Sequence, residues 1–337
     1  MRLLEAKKLG DLAAALQAAG YRVIAPVEDG GVVRLREWQP GERIVTDAFA
    51  VNSAKDFLLP RSEAIARYRI EGNDFEAQDV PVEAPKTALL CVRPCDAASL
   101  AAMDTVFNWD YADEFYNARR AATTVITLGC TTADEHCFCT SAGGAPDATA
   151  GADAVLRPAD GGTRLVLETF GEKGEALAAA AGALLAEGDA QIDPPAEVPA
   201  RFDAAAVTAW LRENFESPLW QQVSLACLGC GACAYACPTC HCFDIQDEGN
   251  RKEAVRYRNW DTCGLTLFTA HAGGHNPRAD QSARWRQRVM HKFAYFPERF
   301  GMLACTGCGR CGRLCPAGMA ISETCAAIDR EAKAAKR

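Results

Sequence analysis

The chain has no apolar run long enough for a bilayer. About 18 consecutive apolar residues are needed, and the longest candidate, ALAAAAGALLA from Ala176, is short and alanine-rich. It reads as a helix of a globular domain. The first residues, MRLLEAKKLGDLAAALQAAG, hold acidic groups and no small-residue cleavage site, so they read as an amphipathic helix and not as a signal peptide. No G-x-G-x-x-G follows a strand pattern and no Walker motif occurs, so nothing plainly cradles a dinucleotide or ATP. No paired C-x2-C at opposite ends of the chain suggests a [NiFe] centre.

What remains is a chain of 337 residues, 49% hydrophobic and 24% charged, which is a globular balance with room for two domains. The net charge of −8 is unevenly spread. From Cys227 onward there are 16 Lys and Arg against 10 Asp and Glu; residues 1–226 hold 20 against 34. The basic part is too dilute, and too poor in exposed aromatics, for nucleic acid; a polar protein partner suits it better. Seventeen cysteines are present, an odd number in a chain that is neither short nor evidently secreted. Clustered thiols in a reducing cytoplasm bind metal more often than they pair, and a cytoplasmic location is expected.

The first part has α/β character. YRVIAPVEDGGVVRLREW from Tyr21 suggests a hairpin about Asp29-Gly30-Gly31. KTALLCV from Lys86 and TTVITLGC from Thr123 are buried-strand patterns, the first running into a helical stretch that Asp96 can cap. DAVLRPADGGTRLVLE gives a second hairpin, and a helix follows. The proline-bearing stretch from Gly188 to Asp203 marks a boundary. The expected organisation is therefore an α/β domain over 1–200, followed by an all-α, ferredoxin-like dicluster domain over 201–337.

The second part holds two matching runs. Cys227-x2-Cys230-x2-Cys233-x3-Cys237-Pro238 and Cys305-x2-Cys308-x2-Cys311-x3-Cys315-Pro316 both follow C-x2-C-x2-C-x3-C-P. In that pattern three thiolates hold one cubane and the fourth ligates the other cluster. Zinc prefers two separated pairs of ligands. Two [4Fe-4S] clusters are expected, one on Cys227, Cys230, Cys233 and Cys315, the other on Cys305, Cys308, Cys311 and Cys237. Cys240 and Cys242 are surplus and read as packing or tuning groups. Cys263 and Cys325 read as buried thiols, and His241 as a hydrogen-bonding neighbour.

Five more cysteines lie in the first part. If the two buried strands are parallel, Cys95 and Cys130 emerge at the same carboxyl edge, where α/β sheets place their sites. Cys137-x-Cys139 in an extended loop puts two thiols on one side. A third metal centre on Cys95, Cys130, Cys137 and Cys139 is expected, a [4Fe-4S] cluster ahead of zinc; the alternative is four unrelated buried thiols. Cys91 lies inside its strand and reads as core.

The stretches RPCDAASL, GCTTADEHCFCTS, CPTCHCFD, WDTCGLTLFTAHAGGHNPRAD and CTGCGRCGRLCP together resemble the iron–sulfur β subunit of cytoplasmic sulfhydrogenases and NAD(P)-linked [NiFe] hydrogenases. The dicluster iron–sulfur subunit of anaerobic sulfite reductase has a similar pattern. The resemblance covers roughly residues 86–320 and fades over 140–200. It implies a non-catalytic electron-transfer subunit of an oxidoreductase complex. Its implied partners are a catalytic subunit, such as [NiFe] hydrogenase or sulfite reductase, together with a flavin-containing, NAD(P)-linked subunit. A self-sufficient enzyme using the N-terminal centre is the alternative, and would need an open iron there. No residue is assigned a catalytic role.

Overall fold

A computed structural model describes residues 1–72 and 74–335. Its strands, in chain order, are β1 (Arg2–Glu5), β2 (Arg22–Asp29), β3 (Val32–Glu37), β4 (Ser62–Glu71), β5 (Asp74–Asp79), β6 (Thr87–Val92), β7 (Thr123–Leu128), β8 (Ala154–Ala159), β9 (Arg164–Thr169), β10 (Ala186–Glu187), β11 (Phe243–Gly249) and β12 (Glu253–Trp260). Eight of them form a mixed sheet in the order β10-β1-β9-β8-β7-β6-β2-β3. Its centre is parallel, from β2 through β6 and β7 to β8. Every residue of β6 and β7 is buried, as continuous apolar strands covered on both faces should be.

Side-chain alternation divides the core. Ala88 and Leu90 face the helices Leu9–Ala18 and Gly171–Ala181, while Leu89 faces the helix Pro94–Val106. The hairpin expected about Gly30 and Gly31 is present, and both glycines take positive φ as a two-residue primed turn requires. Cys91 is buried, as expected of a core residue. It also has φ 59 and falls where the β6–β7 register shifts, so it is the extra residue of a bulge just before the chain reaches Cys95.

Two expectations fail. Asp96 does not cap its helix, which begins at Pro94 with Arg93 in the cap position; Asp96 is buried against Arg310 instead. Nor is the C-terminal region all-α. β11 and β12 form a hairpin there, and β12 pairs antiparallel with β4, giving a second sheet in the order β11-β12-β4-β5. These strands are rich in charge and mostly exposed, so they carry little of the apolar alternation that signals a strand. The sheet is anchored where Glu63 meets Arg119 and Arg258, and where the Trp260 indole donates to the Leu59 carbonyl at 3.1 Å.

The remaining C-terminal elements are helical, principally Ala204–Glu213, Gln281–Met290 and Ile321–Ala334. They pack through Val207, Leu211, Trp285, Val289, Phe293 and Ile328. Asp203 starts the first of these helices by accepting from the amides of Ala205 and Ala206. After Met290 the helix widens into a π turn over His291–Tyr295, then resumes as Phe296–Phe300 and stops at Gly301 in the left-handed region.

Candidate metal centres

The two cysteine runs fold alike. Gly229 and Gly231 have φ 67 and 75, and Gly307 and Gly309 have φ 65 and 77. Each pair turns the backbone left-handed just before a single helical turn, Ala232–Tyr235 or Arg310–Arg313. A side chain at these positions would be strained, so glycine is required by conformation.

The turns bring thiols from both runs together. Cys227, Cys230 and Cys233 line one cavity with Cys315, hereafter cage I. Cys305, Cys308 and Cys311 line another with Cys237, cage II. The fourth cysteine of each run thus sits with the first three of the other. Cys95, Cys130, Cys137 and Cys139 line a third cavity, cage III, which Cys308 also borders. β6 and β7 are parallel, so Cys95 and Cys130 do leave the sheet at one edge. The Cys137–Cys139 loop is held against the second run: the Phe138 amide donates to the Gly307 carbonyl at 3.0 Å, and a Cβ at Gly307 would stand 2.4 Å from the Phe138 carbonyl oxygen.

The cages suit a group larger than one ion. Four thiolates on a single zinc would lie about 3.8 Å from one another, given a Zn–S bond of about 2.3 Å. Among the described residues no three Cys, His, Asp or Glu side chains come close enough together to hold one metal ion. The thiols of each cage line a cavity instead, an arrangement that a [4Fe-4S] cluster would fit in cages I and II. Burial pushes the Cys305 thiol up to about 12 and the Cys130 thiol up to about 11. A metal taken up on these thiols would have to expel their protons, and its binding would drive that step.

At least one polar side chain reaches a thiol in each cage. In cage I the Gln281 amide donates to Cys227 Sγ at 3.0 Å. In cage III Arg313 Nη2 donates to Cys137 Sγ at 3.3 Å, and Asp134 pairs with the same guanidinium. In cage II Lys292 Nζ donates to Cys237 Sγ at 3.2 Å. Burial alone would pull the Lys292 ammonium down, but Cys237 and Cys240 hold it above its ordinary value.

The surplus residues also have definite places. Cys240 donates to Cys237, which, with Lys292 and Arg288 beside it, lies well below the ordinary thiol range, while Cys240 is driven up. Cys242 donates to Cys263, whose pKa is drawn down to about 6. Cys325 is fully buried in the helical core. His241 Nδ1 lies 3.0 Å from the Thr239 carbonyl oxygen, and burial pushes its pKa down to about 4.

The cations of these cages were missed in the sequence. A signal existed: Arg288 and Lys292 stand four residues apart on a helix whose neighbours Trp285, Val289 and Phe293 are core residues. Two basic side chains on an apolar face need a buried anion.

Residues 226–319 match the family described as a 4Fe-4S dicluster domain. Sulfhydrogenase 2 subunit beta of Pyrococcus furiosus is 30% identical over 315 residues, covering 88% of this chain and 89% of that protein. The chain belongs to the sulfhydrogenase beta-subunit family. No solved structure matches it. The dicluster match makes this family member an iron–sulfur protein, and its span encloses both runs and all eight thiols of cages I and II. The 88% coverage extends the likeness well beyond that segment. No helix among the described residues is long and apolar enough to cross a membrane.

Proposed function

We propose that this chain relays electrons through three [4Fe-4S] clusters, between the catalytic subunit of a hydrogenase and a flavin-containing, NAD(P)-linked subunit. Cages I and II would take the two clusters of the dicluster domain, each with three thiolates from one run and one from the other. Cage III would take the third, on Cys95, Cys130, Cys137 and Cys139. On this reading residues 1–200 are the unit carrying cage III and 201–337 the unit carrying cages I and II, with the β4–β12 pairing joining them.

The observation that carries the reading is the continuity of the cages. Arg288 borders both cage I and cage II, and Cys308 borders both cage II and cage III. Three cages that share walls form a series, with cage II in the middle. Iron–sulfur clusters supply single-electron transfer with little rearrangement of their ligands. The chain supplies the rest. Its helix ends and glycine turns fix the thiols, its core excludes water from cage II, and Cys230 leaves cage I exposed for an exchange partner. Cage III offers four thiols and no open position, which supports a carrier over a substrate-binding centre. Seventeen free cysteines suit a reducing cytoplasm. The sulfhydrogenase relative favours hydrogenase over sulfite reductase as the enzyme served. The opposite charge of the two parts of the chain would help two partners select different faces.

The isolated chain should accept electrons from dithionite yet neither oxidise NAD(P)H nor turn over hydrogen. In the whole complex, Cys230→Ala or Cys308→Ala should stop nucleotide-linked hydrogen turnover and leave each end reaction with an artificial dye largely intact. Turnover of NAD(P)H by the isolated chain, or full coupled activity after either substitution, would refute the relay.

A further inference from the structure

Two of the buried arginines have an acid for a partner, and so does the less buried Arg313. Arg310 lies against Asp96, Arg258 against Glu63 and Asp113, and Arg313 against Asp134. Lys292 differs. It is 3% exposed, and its three protons go to Cys237 Sγ at 3.2 Å, Thr239 Oγ1 at 2.9 Å and the Ala304 carbonyl at 2.7 Å. Among the described residues it has no carboxylate partner. Arg288, 4% exposed, is similar: it donates to Cys240 Sγ and the Cys233 carbonyl, and its Nε is buried with no acceptor. A buried charge without an anion is strongly disfavoured. The negative charge that compensates them has to come from the cavity both side chains line, cage II, whose wall includes Cys237.

Other cations near the cages do not duplicate this arrangement. Lys55 points to the Cys240 carbonyl at 2.9 Å and the face of Trp260. Arg284 borders cage I but bonds only to Gln281 and the carbonyls of Arg278 and Ala279. Arg93 bonds the carbonyls of Thr46 and Ala48 and also approaches the Cys130 thiol, but in cage III. Among the described residues, Lys292 is the cation without an acid partner that hydrogen-bonds a thiol of cage II. It does so from the π turn His291–Tyr295, and such turns recur at functional sites.

We propose that Lys292 is the built-in counter-ion of cage II and raises the reduction potential of the centre held there. Resting on the cluster assignment above, this deepens the relay reading. Cage II is the middle station and the driest, with Cys237 and Cys311 both buried. Adding an electron to a buried anionic site is costly in a low-dielectric interior, so without a fixed cation the middle station would block the series. One electron enters as the neighbouring station is oxidised by one electron. Lys292 acts through Cys237 and is a positioning residue, not a catalytic one.

The test is an EPR-monitored redox titration of the full chain, with the cage II signal assigned as the one altered in Cys305→Ser. In Lys292→Gln the reduced-to-oxidised ratio of that centre at a fixed ambient potential should fall about tenfold, equivalent to about 59 mV for a one-electron couple. The other signals should move far less, and Lys292→Arg should restore the original value. Loss of the centre in Lys292→Gln with retention in Lys292→Arg would equally identify the charge as its counter-ion. An unshifted potential in an intact Lys292→Gln centre, or loss of the centre in both variants, would overturn the inference. A parent protein with no signal sensitive to Cys305→Ser would instead overturn the cluster assignment.

Discussion

Cages I and II are written in the same letters and rest on the same backbone, yet their surroundings have little in common. Leu228, beside the first thiols of cage I, is 70% exposed, and Cys230 is exposed with it. The corresponding loop of cage II is closed over by residues 136–139. A neutral amide touches a thiol of cage I; a buried ammonium touches one of cage II. The spacing of a cysteine run thus decides which thiols meet. What surrounds them is decided by chain far away, and those neighbours set the potential through charge, hydrogen bonds and solvent exposure.

Breaking the seal of cage II should have the largest effect. Arg310 stands between two thiols of the second run and contacts Asp96 at 2.7 and 2.9 Å, with both side chains buried. Asp96→Asn would leave that guanidinium uncompensated, and losing one partner of a buried pair costs about 3–5 kcal/mol. Denaturant unfolding of the iron-loaded chain should register this. A loss under about 1 kcal/mol, the range of an exposed pair, would mean the contact does not seal the second run.

A smaller effect sharpens the contrast from the other side. Gln281→Leu removes the hydrogen bond to Cys227 and keeps the side chain's bulk. Hydrogen bonds to cluster sulfurs stabilise the reduced form, so the cage I potential should fall, by less than Lys292→Gln lowers that of cage II, because a neutral dipole is weaker than a charge. An equal or larger fall in the same redox titration would show that the two cages are tuned alike.

Much of this was legible from local patterns. The strands at Thr87 and Thr123 and the glycine hairpins follow from short-range patterns, which the fold preserves, and the twelve thiols expected as ligands line three cavities in groups of four. The four-stranded sheet was not legible. Its strands are charged on their exposed face, and its central pairing joins Ser62 to Asn259, a partnership no local window contains. Lys292, Arg288 and the Asp96–Arg310 pair were hidden for the same reason. A basic residue on a helix reads as surface until its distant partner is known.

The central claim is that each C-terminal cage draws thiols from both runs. It is tested most directly by EPR of reduced full-length protein carrying Cys237→Ser, with Cys227→Ser and Cys305→Ser as references. Cys237 belongs to the first run in sequence and to cage II in space. Cys237→Ser should alter the signal that Cys305→Ser alters and leave intact the one that Cys227→Ser alters. Damage confined to the Cys227-sensitive signal would contradict it.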